Sequence, residues 1–418
     1  MLRDQLSVSV SNADTVVILL QRQGGPGISG LQGEHMKSAE ELIRHEDLEL
    51  ARVPESKSRH LPGYYYTSSE ILELEKEKLF MKDWLMVGRV EEFPNTGDFR
   101  VMDIVGESII ICLDKDRQLN ALSNVCRHRG VEVAQGSGNQ KDFMCPFHGW
   151  TYDLKGGLIA APEVNQFSEY DFKKCKLVSH KVDTWAGFIF INFDPDSPSL
   201  DNFLDADGIR DAAGFLRAED THIVDVYTYT LECNWKMMVE NNIDMYHVNV
   251  IHSGSFGGTF EGESFKRSLS KYGWHGTYQC PTMAPDGEIL FRPMPWLENE
   301  GPEFAYTFYL RPNFNFFARQ DLLQPCIAYP IDPDNTRVTY ITLLPKEALD
   351  MPAFDAKVKI LRDFIELAAT EDLAMLKSLQ KGFKSRFFEG GPMHELEGPM
   401  HHRHRTYLEA LMNEGEQI

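Results

Sequence analysis

The chain has 418 residues and a formal net charge of -21 at pH 7, with 42% hydrophobic and 25% charged residues. This length allows two or three domains with their own cores, and the composition is that of a globular protein. So large a negative charge disfavours nucleic acid or an anionic membrane surface as a partner. No run approaches the roughly 18 apolar residues of a membrane span. We therefore expect no nucleic-acid and no membrane partner, and a cytoplasmic location.

The amino-terminal segment gives the weakest structural signal, and we expect residues 1–35 to form a disordered extension. Its glycines, Gly25 to Gly30, match the G-x-G-x-x-G pattern of dinucleotide-binding folds. That interpretation needs a helix directly after the glycines, and Gly33 does not favour one. A helical segment is predicted for residues 36–83, packing on the catalytic domain. It opens with a capping-box pattern at Ser38 and contains an amphipathic stretch from Ser68 to Met81.

Two regions with different residue patterns follow along the chain. Residues 84–195 contain short β-rich runs separated by turn residues, which predicts a small β domain. Residues 196–418 combine strands with two predicted helices, Trp235 to Val250 and Phe354 to Phe383. This mixture predicts an α+β domain in which an antiparallel sheet grips a long helix.

A first cluster of possible metal ligands lies in the predicted β domain. Seven cysteines in a chain of this length do not suggest a disulfide framework, so a close-set Cys/His group indicates metal binding. The sequences C-R-H-R-G and C-P-F-H-G-W provide Cys126, His128, Cys145 and His148. Two loops that each offer one thiolate and one imidazole suit a [2Fe–2S] cluster with two Cys on one iron and two His on the other. A structural zinc site is the alternative, although zinc fingers pair Cys with Cys and His with His along the chain.

A second cluster lies at the first predicted helix of the larger domain. Asp244, His247 and His252 follow one another in the segment E-N-N-I-D-M-Y-H-V-N-V-I-H. His247 and His252 are five residues apart, which is about 140° around a regular helix. They can converge on one metal only if the helix ends or distorts, and Ser253-Gly254 is a suitable end. Two His and one carboxylate leave open positions on iron(II) for O2, and the carboxylate comes from Asp244 or from elsewhere in the chain.

Both motifs, in this order, resemble the large (alpha) subunit of Rieske non-heme iron aromatic-ring-hydroxylating oxygenases. The resemblance implies a small all-β Rieske [2Fe–2S] domain and a helix-grip (START-like) catalytic domain. It also implies that His247 and His252 bind a mononuclear Fe(2+). The third ligand would be Asp372 in T-E-D-L, with Glu371 left open as an alternative. Asp244 would be the bridge that receives electrons from a Rieske histidine of a neighbouring subunit.

The same resemblance implies a terminal oxygenase that uses O2 and electrons from NAD(P)H, delivered through a reductase or ferredoxin. We expect a homotrimer, alone or with a beta subunit. Because amine-oxidising members often carry Glu at the position of Asp244, we expect a small aromatic substrate that is mono- or dihydroxylated. Oxidation or demethylation of a quaternary or N-methylated amine, or of an aryl ether, is the alternative. A pure Rieske electron-transfer protein is the alternative from another class.

Two further groups of residues have weaker interpretations. The HHRHR sequence, with His401, His402 and His404, is interpreted as a solvated tail or a subunit contact. Six phenylalanines are candidates to line an apolar pocket: Phe256, Phe260, Phe308, Phe314, Phe316 and Phe317.

Overall fold

The computed structural model describes residues 37–166, 171–255 and 262–412, so the interpretation of residues 1–35 lies outside it. Helices open the described chain: α1 (Ala39–Leu42), α2 (His45–Arg52), α3 (Tyr64–Thr67) and α4 (Ser69–Glu75), the last continued by a π-helical turn at Lys76–Phe80. The backbone N–H of Ser38 donates to Glu41 Oε2 at 2.7 Å, and Ser68 Oγ accepts from the backbone of Ile71 at 3.3 Å. In both cases a hydrogen bond joins the serine to the first turn of the helix that follows it, and so caps the start of that helix.

The β domain is built from two antiparallel sheets. Its strands are β1 (Leu85–Arg89), β2 (Asp98–Ile104), β3 (Glu107–Leu113), β4 (Leu119–Ser123), β5 (Ser137–Asn139), β6 (Phe143–Met144), β7 (Thr151–Tyr152), β8 (Leu158–Ala160), β9 (Ser179–Trp185) and β10 (Phe188–Asn192). The larger sheet has the order β1-β10-β9-β4-β3-β2-β5, and β6-β7-β8 form the smaller one. Burial of all five residues of β10 shows that this strand lies in the interior.

The second domain is a seven-stranded antiparallel sheet with helices. Its elements are α5 (Leu200–Asp207), α6 (Ile209–Ala213), β11 (Thr221–Leu231), α7 (Trp235–Ile243), α8 (Val248–Ile251), β12 (Lys266–Leu269), β13 (Gly273–Gln279), β14 (Phe304–Leu310), β15 (Phe314–Arg319), β16 (Leu323–Asp332), β17 (Asn335–Pro345), α9 (Lys346–Leu349), α10 (Phe354–Phe383) and α11 (Gly398–Leu411). The strand order is β11-β17-β16-β15-β14-β13-β12. The predicted α+β class, with an all-β domain and a helix-grip domain, is confirmed.

Short single turns of 3-10 helix connect these elements: Glu55–Lys57, Val90–Glu92, Val164–Gln166, Phe172–Lys174, Gly214–Leu216, Ala218–Asp220, Gly262–Ser264 and Glu395–Glu397. Within the described ranges, no helix combines the length and apolarity needed to cross a membrane.

The β domain packs on the second domain through aromatic rings and one buried cation. Phe188 of β10 meets Phe314 of β15 edge to face, with ring centroids 5.7 Å apart. Arg89 is 2% exposed and donates through Nη2 to the carbonyl of Thr221 at 2.9 Å. The amino-terminal helices join the same core, because Trp235 Nε1 donates to Glu75 Oε2 at 2.7 Å. These contacts place both domains against one hydrophobic core.

The first predicted helix of the second domain is interrupted. The sequence predicted one helix from Trp235 to Val250, whereas α7 ends at Ile243 and α8 begins at Val248. Asp244 is extended, and its Oδ1 accepts from the backbone N–H of Tyr246 at 2.6 Å. An Asp side chain that bonds the backbone two residues ahead competes with helix hydrogen bonding. This Asx turn ends the helix ten residues before the Gly254 stop that the sequence suggested.

The interpretation of the histidine-rich tail was wrong. It forms α11, in which His402, Arg403 and His404 are each at most 4% exposed. Glu240 on α7 accepts from Arg403 Nη1 at 2.7 Å and lies 3.1 Å from His404 Nε2. Arg403 and His404 are thus paired with a carboxylate of the same chain. Their side chains are not exposed to solvent and are not available to contact another subunit.

Candidate functional site

The first candidate site is formed by two loops of the β domain. One loop follows β4 and carries Cys126 and His128, and the other joins β6 to β7 and carries Cys145 and His148. In both loops a glycine amide donates back to the cysteine carbonyl: Gly130 to Cys126 at 2.9 Å and Gly149 to Cys145 at 3.0 Å. These glycines have φ of 79° and 72°, a region that favours glycine. The turns aim each loop's thiol and imidazole toward the other loop.

The four side chains separate into an inner and an outer pair. Cys126 and Cys145 are buried at 3% and 2% exposure, whereas His128 is half-buried and His148 is exposed. The imidazole centroids of the two histidines are 4.6 Å apart. Burial raises the pKa of the Cys145 thiol, and the adjacent Cys126 adds to the effect. The two loops therefore bring the sequence-predicted quartet together.

This arrangement fits a two-iron cluster better than a single zinc ion. A structural zinc ion needs its four ligand atoms around one point. Among the described residues, the one group of three or more donor atoms that meets within 4.8 Å is at another site. A [2Fe–2S] cluster instead holds thiolates on one iron and imidazoles on the other, which matches a buried sulfur pair and an outward imidazole pair.

Tyr152 provides a contact to this site that the sequence alone did not reveal. Its hydroxyl lies 3.3 Å from Cys126 Sγ and accepts from the backbone N–H of Arg127 at 3.0 Å. Burial raises the pKa of Tyr152, so its hydroxyl keeps the proton. The hydroxyl can then donate that proton toward the Cys126 sulfur.

The second candidate site joins the interrupted helix to α10. Nε2 of His252 lies 3.2 Å from Asp372 Oδ1, and Nε2 of His247 lies 3.8 Å from the same oxygen. One donor atom from each of the three residues falls within 4.8 Å of the others. The break between α7 and α8 allows the convergence, since a regular helix would turn the two imidazoles apart. Two imidazole nitrogens and a carboxylate oxygen on one side of a point are suited to iron(II) with open positions.

The other ring nitrogens face two further carboxylates. Nδ1 of His247 lies 3.1 Å from Asp244 Oδ2, and Nδ1 of His252 lies 2.9 Å from Glu371 Oε2. Ser255 Oγ also donates to Glu371 Oε2 at 2.7 Å. Burial lowers the pKa of His252, but Asp372 and Glu371 outweigh burial and leave the pKa raised. A carboxylate at the second nitrogen fixes the tautomer and orientation of a metal-binding imidazole.

The adjacent acidic residues of α10 therefore lie at different nitrogens of His252. Asp372 faces Nε2 together with His247, and Glu371 faces Nδ1 on the far side of the ring. The resemblance implied Asp372 as the third iron ligand, with Glu371 as the alternative. The geometry gives Asp372 the position of a ligand and Glu371 the position of a hydrogen-bond partner.

A cavity of about 120 Å³ opens beside this second site. Its lining includes Asn241, Asn242, Asp244, Met245, His247, Val248, His252, Tyr278, Cys280, Met283, Phe317, Arg319, Gln324, Tyr340, Phe364, Ile365, Ala368, Ala369 and Asp372. Most of these side chains are apolar or aromatic, and the polar ones are at the three-residue site, on the sheet and at the end of α7. A small molecule bound here would lie next to the candidate iron position.

The phenylalanines proposed for the pocket lie in different places. Phe317 lines the cavity, whereas Phe308, Phe314 and Phe316 are at most 2% exposed and belong to the hydrophobic core. Phe256 and Phe260 lie outside the described residues. Sequence reasoning missed Tyr278, Arg319 and Gln324. The one available signal was a charged residue, Arg319, at the end of the aromatic strand F-N-F-F-A-R.

Together, the fold and the two sites define an iron-dependent oxidoreductase that joins an iron–sulfur electron-entry domain to an O2-activating domain. The comparisons with known proteins are consistent with this class. The Rieske [2Fe-2S] domain family matches residues 83–176, and the ring hydroxylating alpha subunit (catalytic domain) family matches residues 218–413. The catalytic-domain match excludes a pure Rieske electron carrier.

Individual relatives show the family. The carnitine monooxygenase oxygenase subunit of Acinetobacter baumannii is 31% identical over 338 residues, covering 79% of this chain and 86% of that protein. The 2-aminobenzenesulfonate 2,3-dioxygenase subunit alpha of Alcaligenes sp. is 32% identical over 215 residues, about half of each chain. A solved quaternary ammonium Rieske monooxygenase in complex with L-carnitine shares the fold, with a TM-score of 0.72 at 23% identity, over 88% of this chain and 99% of the other.

The chain belongs to the Rieske non-heme iron oxygenases, as an oxygenase large (alpha) subunit. As a member it carries a [2Fe–2S] cluster and a mononuclear iron, and it is the terminal component that uses O2 and receives electrons from a partner protein.

Proposed function

We propose that this chain inserts oxygen into a small molecule held in the cavity beside an iron ion bound by His247, His252 and Asp372. The observation that carries the proposal is the convergence of two imidazole Nε2 atoms on Asp372 Oδ1 at the cavity wall. Bound iron(II) would supply the site for O2 reduction next to the substrate. The apolar walls hold the substrate and limit the access of water.

Cys126, Cys145, His128 and His148 are proposed to hold the [2Fe–2S] cluster. The buried thiols match the inner iron and the outward imidazoles match the outer iron. Because His148 is exposed, electrons can leave or enter the cluster through an imidazole at the surface. The proposed domains are the Rieske domain at residues 84–195 and the catalytic domain at 196–418, with residues 36–83 as a helical segment on the latter.

Asp244 is proposed as the electron-transfer bridge. One of its oxygens lies 3.1 Å from His247 Nδ1, and its side chain is 17% exposed. A carboxylate in this position can accept a second hydrogen bond from a neighbouring subunit's cluster histidine and so shorten the path between the two metal sites. Transfer between subunits requires every subunit to be both donor and acceptor, which a ring satisfies. A homotrimer, alone or with a beta subunit, is the proposed assembly.

For the substrate, we place a small quaternary or N-methylated amine first. The carnitine monooxygenase subunit aligns over 86% of its length, whereas the aminobenzenesulfonate dioxygenase subunit aligns over about half. Three aromatic residues, the residue type that binds ammonium groups, line the cavity: Phe317, Tyr340 and Phe364. A small aromatic substrate is the second candidate, favoured by Asp at position 244 and by the same rings.

The direct test is product analysis with ¹⁸O2, a surrogate reductase and NADH, on a panel of quaternary amines, N-methylated amines and small aromatic compounds. Hydroxylation beside the nitrogen breaks the C–N bond, so the expected result is a dealkylated amine and an aldehyde that carries one labelled oxygen atom, trapped by reduction before it exchanges with water. Two labelled atoms in an aromatic diol would favour the second candidate. If the protein holds both iron sites and reduces its cluster but oxygenates nothing on the panel, both proposed substrate classes are wrong.

A further inference from the structure

Arg319 is a buried cation in the cavity wall without a carboxylate partner. It ends β15, is 3% exposed and lines the same cavity as His247, His252 and Asp372. Its Nη1 donates to the carbonyl of Ala318 at 3.1 Å and to Tyr278 Oη at 3.4 Å, and its Nε donates to the carbonyl of Pro281 at 3.4 Å. No acidic side chain in the described part of the chain forms an ion pair with it.

The other buried arginines show how unusual this is. Arg89 and Arg403 are each 2% exposed, and both have a carboxylate partner: Glu91 at 3.1 Å and Glu240 at 2.7 Å. Burial of a charge without such a partner costs several kcal/mol. A buried arginine without a carboxylate partner, at the wall of an active-site cavity, therefore indicates that a bound ligand supplies the negative charge.

The groups that touch Arg319 are neutral. Burial raises the pKa of Tyr278 and the pKa of Cys280, and both effects exceed the opposing effect of the guanidinium. The wall therefore presents a positive charge that its own surroundings do not neutralise.

A second donor lies on the same face of the sheet. Gln324 of β16 pairs directly with Phe317 of β15, and Arg319 is two residues beyond Phe317. Residues two apart along a strand face the same side, so Arg319 and Gln324 lie diagonally across one face. Gln324 is 2% exposed, lines the cavity, and its Nε2 is buried with no hydrogen-bond partner among the described residues.

We propose that Arg319 and Gln324 form an anion subsite, so that the substrate carries a carboxylate or sulfonate. A planar guanidinium with an adjacent amide donor offers N–H groups to two oxygens of a carboxylate or sulfonate. A substrate that carries only an amine has no oxygens to accept these hydrogen bonds. The anion would hold one end of the substrate against the sheet, with its other end toward His247 and His252. The inference rests on the proposed function, because it uses the same cavity as the active site.

The test compares pairs of probes that differ in charge but little in shape. Binding of L-carnitine and its methyl ester, and of 4-fluorobenzoate and 4-fluorobenzamide, is measured by ligand-observed NMR on the anaerobic holoenzyme, without turnover. At least one acid should bind at millimolar concentration or below, at least tenfold more tightly than its neutral counterpart. Equal binding within both pairs, or no binding of either acid, overturns the anion subsite.

Substitutions test whether Arg319 and Gln324 cause the preference for the acid. Arg319→Gln should remove the preference for the acid, Arg319→Lys should retain part of it, and Gln324→Met should weaken acid binding. Arg210→Gln removes the same charge from a surface arginine paired with Asp205 at 2.7 Å and should change nothing. If Arg319→Gln does not fold, Gln324→Met decides the question, because it leaves the charge in place. An unchanged preference in a folded Arg319→Gln or Gln324→Met variant overturns the assignment.

The binding and oxygenation tests separate the two proposals. Acid-selective binding without any labelled product on the full panel would retain the subsite and reject the proposed substrate classes. A labelled product from neutral and acidic members alike, with no loss in Arg319→Gln, would retain the oxygenase and reject the subsite.

Discussion

Asp244 and His247 meet through Oδ2 and Nδ1 at 3.1 Å, at the point where the chain leaves α7. The other oxygen of Asp244 is fixed by the backbone N–H of Tyr246 at 2.6 Å. One carboxylate thus ends the helix, lies beside a candidate iron ligand and remains partly exposed. These three properties come from a single side chain, so the effect of its replacement on electron transfer must be measured in protein whose iron content is known.

In protein loaded with saturating iron(II), so that the cluster and the mononuclear iron are both bound, we expect Asp244→Ala to lower turnover by about 100-fold. The carboxylate proposed to link His247 to a neighbouring subunit is lost, but all proposed metal ligands remain. The measurement is product formed per chain in a single turnover of chemically reduced protein, together with iron content. Asp183→Ala, at an exposed strand position, is the matched control. Full activity in Asp244→Ala would contradict a bridging role for this carboxylate.

Glu371 and Asp372 allow a test of ligand against hydrogen-bond partner on neighbouring residues. Asp372→Ala should abolish binding of the mononuclear iron, because it removes the oxygen that faces both Nε2 atoms. Glu371→Gln should weaken iron binding by about 10- to 100-fold, since only the support of His252 Nδ1 is weakened. Iron titration of metal-depleted protein measures both effects. The reverse order of the two losses would make Glu371 the ligand, and the visible spectrum of the cluster should stay unchanged in both variants.

Tyr152→Phe should lower the reduction potential of the cluster without loss of iron. The hydroxyl lies 3.3 Å from Cys126 Sγ, and a donor at a cluster sulfur stabilises the more negative, reduced state. Loss of about 1.4 kcal/mol corresponds to about 60 mV for one electron. Redox titration followed by visible or EPR spectroscopy gives the value. Tyr227→Phe, on a strand of the other domain, is the control and should leave the potential unchanged.

His402 should make the folded state lose stability in mild acid. Burial, aided by the charge of Arg405, lowers its pKa from 6.5 to about 4. Its Nδ1 accepts from Arg405 Nη2 at 3.0 Å, and its Nε2 lies 2.7 Å from the carbonyl of Ser270. Between pH 6.5 and about 4 the unfolded chain binds a proton that the folded chain does not, so the free energy of unfolding falls as pH falls.

From pH 7 to pH 5, this single group accounts for about 2 kcal/mol of lost stability. Urea unfolding of wild type and His402→Gln at the two pH values measures the contribution as a difference. The variant should show a smaller loss between pH 7 and pH 5, whatever its stability at pH 7. His45→Gln, at an exposed position, should keep the wild-type slope. An equal slope in wild type and His402→Gln would show that another group causes the loss in acid.

Local chemistry in the sequence was enough to predict the family, the fold class, the cysteine and histidine quartet of the first site and the histidine pair of the second. Cys126, His128, Cys145 and His148 stand in two short motifs whose spacing and turn glycines already imply two opposed loops. His247 and His252 were recognisable because they lie close together in one segment. These motifs can be recognised in the sequence because each depends on residues within one turn or loop.

Contacts between distant parts of the chain could not be predicted from the sequence and are seen only in the tertiary structure. The sequence did not separate Asp372 from Glu371, because the two differ only in which nitrogen of His252, about 120 residues away, each one faces. It also misjudged α11, since burial of Arg403 and His404 depends on Glu240 of another helix. Arg319 and Gln324 became neighbours only through the pairing of β15 with β16. Residue types and short spacings are fixed by the sequence locally, whereas the partner of a charge is decided by packing, and here packing leaves one buried cation facing the cavity.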